Sequence, residues 1–413
     1  MNKLRSRVAV GPLRRPVTNP VPAVQAVDQL VAELRPIEPV YCVRPHILQA
    51  TAARFVAGFP GDVLYAVKCN PEPAVLRALW RGGVRHFDCA SPGEIRIVRQ
   101  LFPEAQIHYM HPIKGTAFIR QAYFEYGVRD FSLDSAEEID KIVAATAGAA
   151  DLGLYVRLAM PKGQATYDLS GKFGASPELA VELLRKARAV SARLGLCFHV
   201  GSQCLDPGAY ARALDLAGRV IAEAGVAIDG IDVGGGFPVS YPDATPPALG
   251  TYFETISQGF AQLGMPAQTR LWCEPGRALV AAGASLVVQV EARRGDVLYI
   301  NDGVYGSLSD AGVPKWRFPA RAIRLDGPTV SPKMQGFSFY GPTCDSADFM
   351  VGPFLLPEDI GPGDWIELGQ LGAYGACLRT GFNGFERVLI TDVSDQPLLA
   401  TPGHLDQPAR QAA

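Results

Sequence analysis

Val63-Leu-Tyr-Ala-Val67 is a short apolar run of the kind that forms a strand buried on both faces, and Lys68 follows where that strand should end. An ammonium at the mouth of an apolar strand must be paired, shifted towards the neutral amine, or used covalently. For this stretch alone the alternative is a stem lying along the strand with its charged head in water. Seven further apolar runs end in the same manner: in Asp88, His111, Asp134, Arg157, His199, the run Gly234-Gly235-Gly236, and Glu274. One polar residue at a strand end is commonplace. Eight such ends, several of them ionisable, point to a shared site.

The chemistry these residues permit follows from their types. Three successive glycines let backbone N–H groups approach an anion closely, and Ser202 and Arg277 offer a hydroxyl and a fixed cation to the same phosphate. There is no Gly-x-x-x-x-Gly-Lys loop and no Gly-x-Gly-x-x-Gly after a first strand, which argues against a nucleotide. A phosphate site combined with a strand-end lysine points to pyridoxal 5'-phosphate. Its aldehyde would form a Schiff base with Lys68, its phosphate would rest on the glycines, and Glu274 would pair with the ring nitrogen. Protonated there, the ring accepts the electron pair left when a bond to a substrate α-carbon breaks. His199 is placed to lie against the ring face; read alone, it is a satisfied interior imidazole.

The elements that must position these groups recur with one rhythm. From residue 39 to 275 a short apolar strand alternates with a helical stretch about eight times, the count that closes a parallel (β/α)8 TIM-like barrel, with active sites at the carboxyl ends of its strands. Beyond Pro275 the rhythm changes. Ala278 to Val290 and Asp296 to Asn301 are rich in Val, Leu and Tyr without intervening helices, and Gly and Pro mark frequent turns, so residues 276–413 are expected to form an all-β domain. Residues 1–38 are expected to be an arm packing on that domain; Val40-Tyr-Cys-Val43 suits either unit.

Composition sets the outer limits. The chain has 413 residues, with 39 basic and 41 acidic side chains and a net charge of -2, which gives no sign of a surface for nucleic acid. Its eight cysteines show no CxxC pair or zinc-like spacing, so no metal site is expected, and reduced thiols suit a cytoplasmic setting. No run has the length of a membrane span. Arg5, Arg7, Arg14 and Arg15 precede the first acidic residue, Asp28, as in a transit peptide. Four prolines among them spoil an amphipathic helix, and a solvated arm is expected instead.

The chain resembles the fold type III pyridoxal-phosphate decarboxylases, the group of ornithine, arginine and diaminopimelate decarboxylases, with the alanine racemase fold as a more distant relative. The resemblance is carried by Tyr65-Ala-Val-Lys-Cys-Asn70, Phe87-Asp-Cys-Ala-Ser91 with Glu94, Lys172-Phe-Gly174, His199-Val-Gly-Ser202, Asp232-Val-Gly-Gly-Gly-Phe-Pro238, Glu274-Pro-Gly-Arg277, Asn301-Asp-Gly-Val-Tyr-Gly-Ser307, Gly341-Pro-Thr-Cys-Asp345 and Phe382-Asn-Gly-Phe385, in family order. It implies that Lys68 is the Schiff-base lysine, Glu274 the partner of the ring nitrogen and His199 the stacking residue. Ser202, Gly235, Gly236, Arg277 and Tyr374 would hold the phosphate, while Asp88 and Arg157 would orient the lysine.

It also implies a homodimer with active sites shared across the interface. Cys344 of one subunit would return a proton to the α-carbon in the other, and Asp345 would bind the far end of the substrate, with Tyr305 and Phe382 beside it. A carboxylate at that end wants a cation, which favours L-ornithine, decarboxylated to putrescine for polyamine synthesis, and L-lysine, giving cadaverine. In ornithine decarboxylases a second aspartate follows Tyr-Gly-Ser after a short loop. Here Ser307 is followed at once by Leu308, Ser309 and Asp310, and Asp310 is the candidate stand-in. The rival readings are a diaminopimelate decarboxylase, whose members usually carry a glutamate and serine after the cysteine, and a homologue without activity that acts as a binding partner. Retention of Lys68, Glu274 and Cys344 argues against the latter.

Overall fold

The computed structural model of the chain describes residues 26–161 and 171–402; the basic arm around Arg5 to Arg15 and the tail Gln407–Ala413 lie outside the described residues. The described chain starts with the helix Val27–Leu34 and continues into β1 (Val40–Val43). Eight strands follow: β2 (Asp62–Ala66), β3 (His86–Cys89), β4 (Gln106–Tyr109), β5 (Asp130–Leu133), β6 (Gly153–Arg157), β7 (Arg193–Cys197), β8 (Gly230–Asp232) and β9 (Arg270–Cys273). Each pairs in parallel with the next, and β9 pairs with β2, so the sheet closes into the expected barrel with helices between its strands. Several helices begin at caps legible in the sequence. Ser91, Ser135 and Ser176 each accept the N–H three residues on, and the Glu94 carboxylate reaches back to the Ala90 N–H at 2.7 Å.

The barrel interior is filled rather than hollow. Leu64, Met110, Tyr155, Cys197 and Trp272 form a buried cluster in which the Tyr155 and Trp272 rings stack at 4.6 Å. The large Tyr155 ring fits only because its neighbour on β7 is Gly195, where a Cβ would lie 2.1 Å from the ring. Big and small side chains alternate to fit the taper. Below them His86 Nδ1 meets His108 Nε2 at 3.0 Å, and the Asp130 carboxylate sits beside His108 and Arg193.

The remaining strands are β10 (Ala284–Arg294), β11 (Val297–Ile300), β12 (Ala320–Ile323), β13 (Met334–Tyr340), β14 (Phe349–Pro357), β15 (Trp365–Leu368) and β16 (Leu389–Asp392). They form a mostly antiparallel sheet in the order β12-β15-β10-β11-β13-β14. β1 pairs with β10 and β16 in this sheet, not with the barrel. The helix before it packs there too: Val27, Leu30 and Val31 are buried against Val287, Ile323 and Trp365. The apolar stretch from Ala278 differs from expectation. Residues Arg277–Val280 form a helical turn, a second turn covers Ala281–Gly283, and the strand begins only at Ala284. An apolar run of this length fits a buried helix as well as a strand.

Arg44, directly after β1, is anchored in the sheet domain. Its buried guanidinium contacts Ser285 Oγ at 2.9 Å, Glu367 Oε1 at 3.0 Å and Asp395 Oδ1 at 2.8 Å. Arg44→Ala leaves the buried Glu367 carboxylate short of a partner and is expected to cost about 3 kcal/mol in urea unfolding. Adding Glu367→Leu should recover part of that loss. At the barrel floor, burial, and after it the proximity of His108, push the His86 imidazole down to about 4. The unfolded chain takes up that proton near the ordinary histidine value, so this contribution is complete above about pH 6.5 and lost as the pH falls through 4. His86→Gln is expected to flatten that acid limb by on the order of 2 kcal/mol, read from unfolding curves at pH 7 and pH 4.

Candidate active site

The carboxyl ends of the barrel strands open into one cavity of ≈ 440 Å³. Lys68, Asp88, Arg157, His199, Ser202, Gly235, Gly236, Glu274, Arg277 and Tyr374 all line it, the ten residues expected to hold the cofactor. Lys68 sits on a tight turn, Val67–Cys69, directly past β2. Its Nζ lies 3.3 Å from Oδ2 of the buried Asp88, which ends the neighbouring strand. That carboxylate raises the lysine above its ordinary value, so the amine is charged at neutral pH in the cofactor-free protein.

The turn is held from the sheet domain. Asn70 Nδ2 donates to the Gly372 carbonyl at 2.8 Å, the Tyr374 N–H donates to the Cys69 carbonyl at 2.9 Å, and Tyr41 OH donates to the Leu371 carbonyl at 2.8 Å. Tyr374 is thereby brought onto the cavity wall.

Glu274 follows β9 and is buried. Burial pushes its carboxyl well above the carboxylate range, and the nearby acids Asp232 and Asp88 add to this, against Lys68 and Arg157. Asp232, at the end of β8, is raised for the same reason, and its Oδ1 accepts the Gly234 N–H at 2.8 Å. Glu274 Oε1 has no hydrogen-bond partner. Burial also pushes His199 well below its ordinary value, helped by Arg157 and Lys68, so the ring is neutral; its Nδ1 accepts the Gly201 N–H at 2.9 Å.

The glycines are required by space. A Cβ at Gly235 would fall 2.7 Å from the Glu274 carbonyl and 3.0 Å from His199 Nε2. At Gly236, with φ +106°, it would fall 2.6 Å from the Gly201 carbonyl. These observations fit pyridoxal phosphate: an unpartnered buried carboxyl oxygen for a ring nitrogen, a glycine cradle, a hydroxyl and Arg277 for a phosphate, and a lysine for an aldehyde.

The other expected residues lie elsewhere. Cys344 is exposed, and Asp345, Tyr305 and Phe382 cluster with it outside the cavity: Tyr305 OH is bonded to the Asp345 carboxylate, the Tyr305 and Phe382 rings are 4.9 Å apart, and the Cys344 N–H donates to Asn383 Oδ1 at 3.0 Å. Asp310 pairs with Arg277 at 2.8 Å and does not line the cavity. Asp134 does not line it either. Its carboxylate accepts the Gly174 N–H at 2.9 Å and so fixes the segment that brings Lys172 and Phe173 to the wall. Along with those two residues, Met110 and His111 line the cavity; His111 and Phe173 meet edge to face at 5.1 Å. His111 carried a strand-end signal without a role attached. Asp232 stood in the glycine motif, but nothing in its spacing revealed that it would be buried beside Glu274.

Comparison with known proteins agrees with this geometry. The family described as pyridoxal-dependent decarboxylase, pyridoxal binding domain, matches residues 46–281, and the corresponding C-terminal sheet domain matches residues 279–372. The chain is 35% identical over 378 residues to a lysine/ornithine decarboxylase of Selenomonas ruminantium, covering 89% of this chain and 90% of that one. Among solved structures, the arginine decarboxylase of Paramecium bursaria Chlorella virus bound to agmatine superposes with a TM-score of 0.78 at 28% identity, covering 89% of this chain and 99% of that one. A lysine/ornithine decarboxylase from Vibrio vulnificus complexed with cadaverine gives 0.76 at 29% identity, covering 90% and 100%. With its lysine, its carboxyl for a ring nitrogen and its glycine cradle all on one cavity, the chain belongs to the pyridoxal-dependent decarboxylases as an ornithine decarboxylase-like enzyme that uses pyridoxal phosphate.

Proposed function

We propose that the enzyme decarboxylates L-ornithine to putrescine, accepts L-lysine to give cadaverine, and so supplies diamine for polyamine synthesis. The observation that carries this is the pairing of a cofactor cavity with a separate acid-bearing turn, Cys344-Asp345, on the outer surface. When bound, pyridoxal phosphate supplies an electron sink for the pair left behind as carbon dioxide departs. Lys68, held by Asp88, would take the aldehyde end; Glu274 would hold the proton at the ring nitrogen; His199, kept neutral by burial, would face the ring; Ser202, Gly235, Gly236, Arg277 and Tyr374 would hold the phosphate; and Arg157 would orient the surroundings of the lysine.

The substrate end is completed by a second copy of the chain. Supporting this, Cys344 and Asp345 stand beside exposed Phe382 and Phe385, an apolar edge suited to burial in a homodimer. The thiol of one subunit returns a proton to the α-carbon in the other, and the Asp345 carboxylate attracts the distal ammonium. The eight free cysteines, six of them buried, support a reducing, cytoplasmic location.

A panel of ornithine, lysine, arginine and diaminopimelate scored by carbon dioxide release tests the reaction. Turnover is expected with ornithine and lysine and none in Lys68→Ala; release from diaminopimelate alone would overturn the substrate reading. Mixing Lys68→Ala with Cys344→Ala subunits, each inactive or misprotonating alone, is expected to restore up to about a quarter of wild-type diamine formation, since half of randomly mixed dimers are hybrids with one intact site in two. No recovery after demonstrated subunit exchange would remove the shared site.

A further inference from the structure

Arg277 is the cavity's buried cation on the phosphate side, and its surroundings are unusually complete for a group that also has a ligand to hold. Nη2 donates to Asp310 Oδ2 at 2.8 Å, Nη1 donates to Tyr241 OH at 3.0 Å, and the guanidinium carbon lies 3.9 Å from the Trp316 ring centre. The Tyr374 ring stands 5.1 Å away. Only Nε is left without a partner. A guanidinium fixed at both terminal nitrogens and on one face has a single orientation, and it is a planar group whose value to a phosphate depends on that orientation.

Asp310 is itself tied in place. It sits in the short turn Ser309–Ala311, its carbonyl accepts the Trp316 N–H at 3.0 Å, and the adjoining Ser309 Oγ donates to the Tyr374 carbonyl at 3.3 Å. The same seven-residue stretch, Asp310–Trp316, therefore delivers both the counter-ion at the edge and the ring on one face of Arg277. The Asp310 side chain is 14% exposed, with the Arg277 side chain 5% exposed against it, and Asp310 forms no part of the cavity wall. A carboxylate engaged in a buried pair with arginine has little to offer a second, mobile ammonium, because leaving the guanidinium uncompensated costs more than a distal contact returns.

We infer that Asp310 is a positioning residue for the cofactor phosphate, acting through Arg277, and takes no part in gripping the distal amine of the substrate. The inference rests on the proposed basic amino-acid substrate only for its second half. It leaves recognition of the distal ammonium to the partner's Asp345.

The test titrates cofactor-free protein with pyridoxal 5'-phosphate and, separately, with pyridoxal, which lacks the phosphate. Asp310→Ala is expected to weaken pyridoxal phosphate binding about tenfold or more while leaving pyridoxal within about twofold. At saturating cofactor, its KM for ornithine and for lysine is expected to stay within about twofold of wild type. Asp310→Asn, which keeps the side-chain volume and an acceptor for Nη2, is expected to restore most of the phosphate-dependent affinity. Should Asp310→Ala fail to fold, Asp310→Ser carries the same comparison. Unchanged pyridoxal phosphate affinity, an equal loss for pyridoxal, or a KM raised about tenfold at saturating cofactor would each overturn the inference. The titration needs no substrate, so wild-type protein inactive on ornithine and lysine would remove the proposed function while leaving this comparison readable.

Discussion

The turn that carries Lys68 is held from outside the barrel, and much of the site depends on that restraint. A lysine at a strand end has four flexible carbons and no reason to stay in one place. Here its backbone is trapped between β2 and the segment Leu371–Tyr374, through Asn70, Cys69 and Tyr41, all of them buried. Buried amide and carbonyl groups that lose such partners bear the full desolvation penalty, so the seam resists opening. One arrangement thus fixes the lysine, seats Tyr374 on the cavity wall and joins the two folding units.

Within the cavity the charges are distributed so that each wall does a different task. On one wall Asp88 keeps Lys68 protonated. Next to it around the barrel, at the ends of β8 and β9, burial and their mutual repulsion make Glu274 and Asp232 reluctant to ionise together. His199, on the wall after β7, is a neutral ring. Arg277 stands on the wall as a buried cation balanced by Asp310. None of these values is intrinsic to the residue type; each follows from which side chains the barrel brings within reach.

How much of this was legible in the sequence varies with the range of the contact. The eight apolar runs read as strands because a parallel barrel buries both faces, and each of them is a barrel strand. Their end residues were legible for the same reason, since strand ends must converge. Asp134 shows where that logic thins: it stands at a strand end yet serves the backbone of Gly174. Val40–Val43 carried no signal of which sheet it would join, because its partners β10 and β16 lie more than 240 residues away. The pairing of Asp310 with Arg277 was equally hidden. It depends on how the turn after Ser307 crosses back over the barrel mouth, and spacing along the chain does not encode that path.

The stacked Tyr155 and Trp272 rings, with Met110 above them, have a further consequence. Among the described residues they fill the barrel's axis, so the axis is not a passage from the cavity to the opposite end of the barrel. The cavity is therefore reached from the carboxyl-terminal end of the barrel, where His111, Lys172 and Phe173 stand on its wall, and not along the axis from the opposite end.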